Sequence, residues 1–170
     1  MTELSGQPEY LHVLVNPVLT HALPLAAVAL LVALAARATA AIRLALILVL
    51  LGAAAAWPAV HYGRQGYDRV LAMADATGGD WLALHRYRAE QSLPIFSATA
   101  VAAAAALLAS WKWPRGFKGL GWATLLVAVA ACAAAARIAW PAGKIRHREF
   151  RHEPPPAAEL QAARAREGRD

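Results

Sequence analysis

Residues 18–36, VLTHALPLAAVALLVALAA, and 42–60, IRLALILVLLGAAAAWPAV, decide the fold. A helix crosses the hydrocarbon core of a bilayer with about 20 mostly apolar residues, and each stretch has that length and character. Only Arg37-Ala38-Thr39-Ala40-Ala41 separates them, so they read as a helical hairpin. Two further stretches of the same kind follow at 93–111 and 120–140. Alanine dominates parts of the last two, at 101–106 and 128–136. Its small side chain lets helix backbones approach closely, so the expectation is a compact all-α integral membrane bundle of four helices. The membrane domain is expected over 1–151, with a flexible tail at 152–170.

Composition agrees. Of 170 residues, 59% are apolar and 16% charged, against about 45–50% and 25% in soluble domains. That excess argues against a soluble enzyme, a disordered chain and a disulfide scaffold. The single cysteine, Cys132, lies mid-span among alanines and reads as inert packing. The formal net charge is +6 and the pI about 10.1. The cations flank apolar runs, which is how a membrane protein meets anionic headgroups. The bilayer is therefore the expected partner, and nucleic acid is not.

Tryptophan marks the helix ends. Trp57, Trp81 and Trp140 fall near one set, and Trp111, Trp113 and Trp122 near the other, where indole prefers the headgroup level. Four spans place the N-terminal segment, the middle loop and the C-terminal tail on one side, and the two short loops on the other. The short loops carry Arg37, Arg43, Lys112, Arg115 and Lys118, whereas only Glu3 and Glu9 are charged before the first span. The positive-inside rule puts the short loops in the cytoplasm. Lys144, Arg146, Arg148 and Arg151 pull the other way, and the first span and the loops are given precedence. The expected location is a bacterial inner membrane with both termini periplasmic. No basic n-region precedes the first span, which is expected to be retained as an anchor.

The polar residues gather on the long-segment side. His12 and His21 stand at or before the start of the first span, His61 and Tyr62 end the second, His85 leads into the third, and His147 and His152 follow the fourth. Pro24, Pro58, Pro94 and Pro141 fall near the same ends, where proline frees a backbone carbonyl and bends the axis. Four such bends would open a polar-lined cavity. In the middle loop, Thr77-Gly78-Gly79 reads as a turn, and Asp80 as the cap of a helix beginning at Trp81. Arg86 and Glu90 pair at i and i+4 on that helix. His85, Ser92 and Phe96 share a face, which turned inward would set His85 against His21 or His61.

These histidines suggest two ligand chemistries. A non-covalent haem b needs two facing imidazoles on separate helices, for which His21, His61 and His85 are eligible. A divalent metal would use the same rings with Asp68, Glu90, His147 or Glu149, although their spacing matches no tight metal motif. Arg137, near the end of the fourth span, either snorkels beside Trp140 or pairs with Asp68 or Glu90. The tail runs through a stiff Pro154-Pro155-Pro156 linker into a short helical segment at 157–166 that frays toward Gly168.

Some short motifs resemble a known group. Leu11-His12-Val13-Leu14-Val15-Asn16-Pro17, Tyr62-Gly63, Tyr67-Asp68-Arg69-Val70, the lone His85 and Gly143-Lys144-Ile145-Arg146-His147-Arg148-Glu149 are similar to segments of bacterial four-helix membrane proteins of the domain-of-unknown-function 2231 type. The resemblance spans about 11–151. It implies a four-span inner-membrane bundle with its polar residues on one side, and it brings no catalytic residue. Pro17 and Arg64-Gln65 depart from the group's pattern, where a histidine and an acidic residue are expected.

Three functional readings follow. The first is a non-enzymatic accessory protein or small subunit, associated with a membrane protein partner or with further copies of itself. The second is a cytochrome-like electron carrier with His21 and His85 as axial ligands and His61 as substitute. The third is a small transporter or quinone-handling protein with Tyr62 and Arg137 as polar contacts.

Overall fold

The computed structural model describes residues 6–113 and 116–167. Glu3, Arg115 and Gly168, on which the sequence reading drew, lie outside them. The elements are α1 (Pro8–Pro17), a π-helical turn (Val18–Ala22), α2 (Leu23–Ala35), α3 (Thr39–Ala54), α4 (Ala56–Gln65), α5 (Tyr67–Ala72), α6 (Ala76–Lys112), α7 (Phe117–Arg146), a 3-10 turn (Arg148–Phe150) and α8 (Ala157–Glu167). No strand occurs among the described residues.

Four helices are long and apolar enough to cross a membrane, Pro8–Ala35, Thr39–Gln65, Ala76–Lys112 and Phe117–Arg146. Each contains one expected span, to within a residue, and extends past it. α2 packs on α3 and α7, α3 on α6, and α6 on α7, the square of an antiparallel up-down-up-down bundle. α6 has 37 residues, or about 55 Å of helix against a hydrocarbon core of about 30 Å. It is therefore longer than one crossing requires.

The interior is small and tightly interlocked. Leu23, Leu30, Ile42, Leu46, Val49, Phe96, Ala103, Ala106, Ala128 and Ala131 form its centre. Gly52 lets α3 lie directly on α2, because a Cβ there would stand 3.1 Å from both Cα and Cβ of Leu23. The opposite faces carry Leu25 and Leu126, 71% and 73% exposed, with Val28, Leu44, Leu51, Val101 and Val129. Apolar residues outside and inside alike are what a helix bundle in lipid presents, since association there rests on close packing of small residues.

The short connection after α2 closes by a Schellman motif. Ala38 N–H donates to Ala33 O and Arg37 N–H to Leu34 O, both at 3.1 Å, with Arg37 in the left-handed region at φ 55°. At the same end, Arg43 donates from Nε to Ser110 Oγ (3.1 Å) and from Nη2 to Ser110 O (2.9 Å). This read-as-topogenic cation thus caps the last turns of α6.

Two local expectations differ from the structure. Asp75, not Asp80, caps α6: its Oδ1 accepts from Gly78 N–H at 2.6 Å. Thr77-Gly78-Gly79 is the first turn of that helix rather than a loop. The reason lies far off in the chain. A Cβ on Gly78 would stand 2.6 Å from Ile145 O, so the bare backbone lets the end of α7 close over the helix start. The tail, expected to run free, is α8, docked on α6 with Ala163 buried.

Candidate functional site: a paired-histidine polar end

α1 lies along α4, and this contact places His12. Its Nδ1 is 2.7 Å from Ala59 O. A carbonyl only accepts, so the proton sits on Nδ1 and leaves Nε2 as a bare lone pair. Gly63 makes room for the ring, since a Cβ there would stand 3.1 Å from Nδ1 and 3.2 Å from Cε1. His85, on α6, donates in the same way from Nδ1 to Ile138 O of α7 at 2.9 Å. The two ring centroids are 6.2 Å apart with planes at 90°. Neither Nε2 has a hydrogen-bond partner among the described residues.

The inward face expected for α6 is therefore present: Ser92 and Phe96 are buried on it and His85 is half-buried. Its partner, however, is His12. His21 projects from the surface beside Thr20, with Nδ1 2.9 Å from that hydroxyl. His61 is also exposed, next to Gln65 at 3.2 Å and against the Tyr62 ring at 5.4 Å. The π-helical turn between Pro17 and Pro24 shifts the register within the first spanning helix, and His21 lies on that turn.

The rest of this end is a network of ion pairs. Arg88 on α6, only 6% exposed, donates twice to Glu159 of α8, at 2.9 and 3.1 Å. A third bond runs from Nη1 to Arg137 O at 3.1 Å. That carbonyl lies four residues before Pro141, which has no N–H to give it. The freed carbonyl expected from the proline is thus satisfied by a buried arginine. Arg137 itself pairs with Glu159 at 2.7 Å, and with neither Asp68 nor Glu90. Asp68 is exposed on α5. Glu90 takes Arg64 at 2.7 Å and Arg86 at 3.3 Å, the second being the expected i, i+4 pair. Glu9 takes Arg69 at 2.8 Å.

Past α7, Arg151 joins Asp75 at 2.7 Å and also donates to Lys144 O (2.6 Å) and Ile145 O (2.8 Å), closing the helix C-terminus. Lys144 is 9% exposed. Its Nζ rests 3.6 Å over Trp140 and 4.4 Å over Trp81, a desolvated cation held by indole faces. His147 turns outward, 2.9 Å from Glu149 and stacked on Phe150.

Electrostatics follow these contacts. The Gly78 N–H, then Arg151 and Arg148, hold Asp75 below the usual carboxylate range. Arg88, then Arg137, does the same for Glu159. The Glu149 carboxyl is lowered by its own backbone N–H and by His147. Burial, reinforced by the hydrogen bond to Glu167, pushes the Tyr67 hydroxyl well above its ordinary value. Tyr67 lines a cleft of about 250 Å³ between α5, the start of α6 and α8, together with Asp75, Asp80 and Arg164. It lies outside the bundle axis, and none of the four helix-bending prolines lines it.

No protein-family model, curated protein or solved structure matches the chain. Among the described residues, no three of the histidines, cysteine and carboxylates gather where they would hold a metal ion. Among the described residues His12 and His85 meet ring to ring, and no third histidine, cysteine or carboxylate joins them in a metal-holding group.

Proposed function

We propose that this chain is a non-enzymatic accessory protein or small subunit of a bacterial inner membrane. In this reading four spans anchor it, and its polar, histidine-bearing end faces the periplasm to dock a membrane protein partner or another copy. The observation that carries the reading is the closed, ion-paired cap. Arg88 and Arg137 on Glu159, Arg151 and Arg148 on Asp75, and Arg64 and Arg86 on Glu90 link α4, α6, α7, α8 and the 3-10 turn segment, while Arg69 on Glu9 joins α1 to α5. Such a cap is a rigid platform and offers no broad entry to the bundle axis. The resemblance carried by 11–151 points the same way.

The transporter or quinone reading finds no support in these contacts, since Arg137 is held by Glu159 and Tyr62 by His61. The electron-carrier reading with His21 opposite His85 gains nothing from a His21 ring on the outer surface. Photo-crosslinking in native membranes tests the proposal. A crosslinker at the exposed cap residues Arg69 or Arg148 is expected to give a discrete protein adduct, and one at lipid-facing Leu126 is expected to give none. A cap that forms no adduct, in a chain that runs as a single copy in mild detergent, overturns it.

A further inference from the structure

We propose that His12 and His85 form a two-imidazole binding site for a copper(I) ion. The inference goes beyond the accessory role and does not depend on it. Three observations carry it. First, each ring has its Nδ1 proton fixed on a main-chain carbonyl of a neighbouring helix, Ala59 O for His12 and Ile138 O for His85. That anchoring sets the tautomer and holds the ring, as it does for metal-bound histidines generally. Second, both Nε2 atoms lack hydrogen-bond partners among the described residues. Third, the ring separation matches a linear two-nitrogen arrangement. A metal bound by two ring nitrogens at about 2.0 Å in a straight line sets the centroids roughly 6.3 Å apart, and a tetrahedral angle brings them to roughly 5 Å. The observed separation is 6.2 Å.

Donor number also selects the ion. Zinc takes four donors, but Glu90 is already committed to Arg64 and Arg86 and Glu9 to Arg69, and no third ligand residue gathers with the two rings among the described residues. Two-coordinate linear binding by imidazole is natural for copper(I), which needs no carboxylate and carries a single charge into a half-buried site. A porphyrin would need a broad slot across the line joining the rings, and α4 at Gly63 closes one side against the His12 ring. Binding requires no redox step: each Nε2 donates one electron pair to the ion.

The test is anaerobic titration of the purified full chain in detergent with copper(I), against a chromogenic copper(I) chelator. One equivalent per chain is expected, lost in His12→Gln and in His85→Gln and kept in His21→Gln and His61→Gln. Copper-edge absorption is expected to show two nitrogen donors in a linear arrangement. Far-UV dichroism establishes that each variant is folded. Should a histidine variant fail to fold, Gly63→Val supplies a second arm. It keeps both imidazoles, crowds the His12 ring, and is expected to weaken binding by roughly tenfold or more. The proposal is overturned by a folded wild-type chain that takes up no copper(I), by uptake that survives both histidine variants, or by displacement of the copper by equimolar zinc. A stoichiometric Soret band in the purified protein also overturns it in favour of haem.

Discussion

Replacing Glu159 by Ala removes the carboxylate shared by Arg88 and Arg137, and its effect can be worked out from the contacts. Arg88 is 6% exposed and, once Glu159 is gone, keeps its hydrogen bond to Arg137 O and its place over the Trp140 ring but no carboxylate. Stripping one partner from a buried pair costs about 3–5 kcal/mol. The Glu159 side chain is 28% exposed, however, and lifting α8 away lets water reach the guanidinium, which lowers the figure. About 2–3 kcal/mol is left, so the undocking equilibrium of α8 should rise roughly 30- to 150-fold. An isolated helix of this length is marginal in water, so undocking also means unfolding of α8. Amide exchange of the α8 peptide in detergent reads that ratio directly, with α7 as internal reference. Arg137→Ala is the control: its side chain is 56% exposed, which limits the loss to below about 1 kcal/mol. The double variant Arg88→Leu/Glu159→Leu, which leaves no buried charge, is expected to recover most of the protection. Exchange of α8 within about threefold of wild type in Glu159→Ala would refute the reasoning. So would deprotection spread evenly over α6 and α7.

Acid should act through the same carboxylate. Arg88 holds Glu159 below its ordinary value, so the stabilisation is complete above the unfolded pKa of about 4.3 and fades as pH falls through the lower folded value. α8 protection, corrected for intrinsic exchange rate, should be flat from neutral pH to about 5 and drop only below about 4. Arg37 occupies a left-handed position, so Arg37→Gly is expected to stabilise the bundle by about 1 kcal/mol in a denaturant or detergent titration. An unchanged midpoint would show that the turn is unstrained. Gly52→Val puts side-chain atoms where Leu23 backbone lies 3.1 Å away and should cost roughly 1–3 kcal/mol, lowering the thermal midpoint measured by dichroism.

Much of this architecture is legible in the sequence, because the signals are local. The four apolar runs, the arginine-to-glutamate spacing at 86 and 90, and the inward face of His85, Ser92 and Phe96 depend on neighbours within a few turns. What escapes is set by distant partners. Asp80 reads as the cap, yet Asp75 takes that place because Arg151 binds it and Ile145 O lies over Gly78. The tail reads as free because the partners of Glu159 and Arg164 lie 71 and 84 residues away. His12 reads as part of a polar approach to the membrane, since the apolar run begins after it. A signal for its helix was present: Pro8 at the first helical positions and Glu9 in the first turn are start marks. His21, nearer the apolar run, looks the better candidate until the π-helical turn is seen to carry it outward.

In the proposed arrangement the chain crosses the membrane four times, with its polar cap on the periplasmic side. Single cysteines in a Cys132→Ser background, probed with a membrane-impermeant maleimide on intact bacteria, test this most directly. Gly79→Cys and Ala158→Cys are expected to label from outside, and Ala38→Cys only after the membrane is opened. Labelling of Ala38→Cys but not Gly79→Cys from outside would reverse the orientation, and labelling of Ala38→Cys together with Gly79→Cys would contradict the four-span bundle itself.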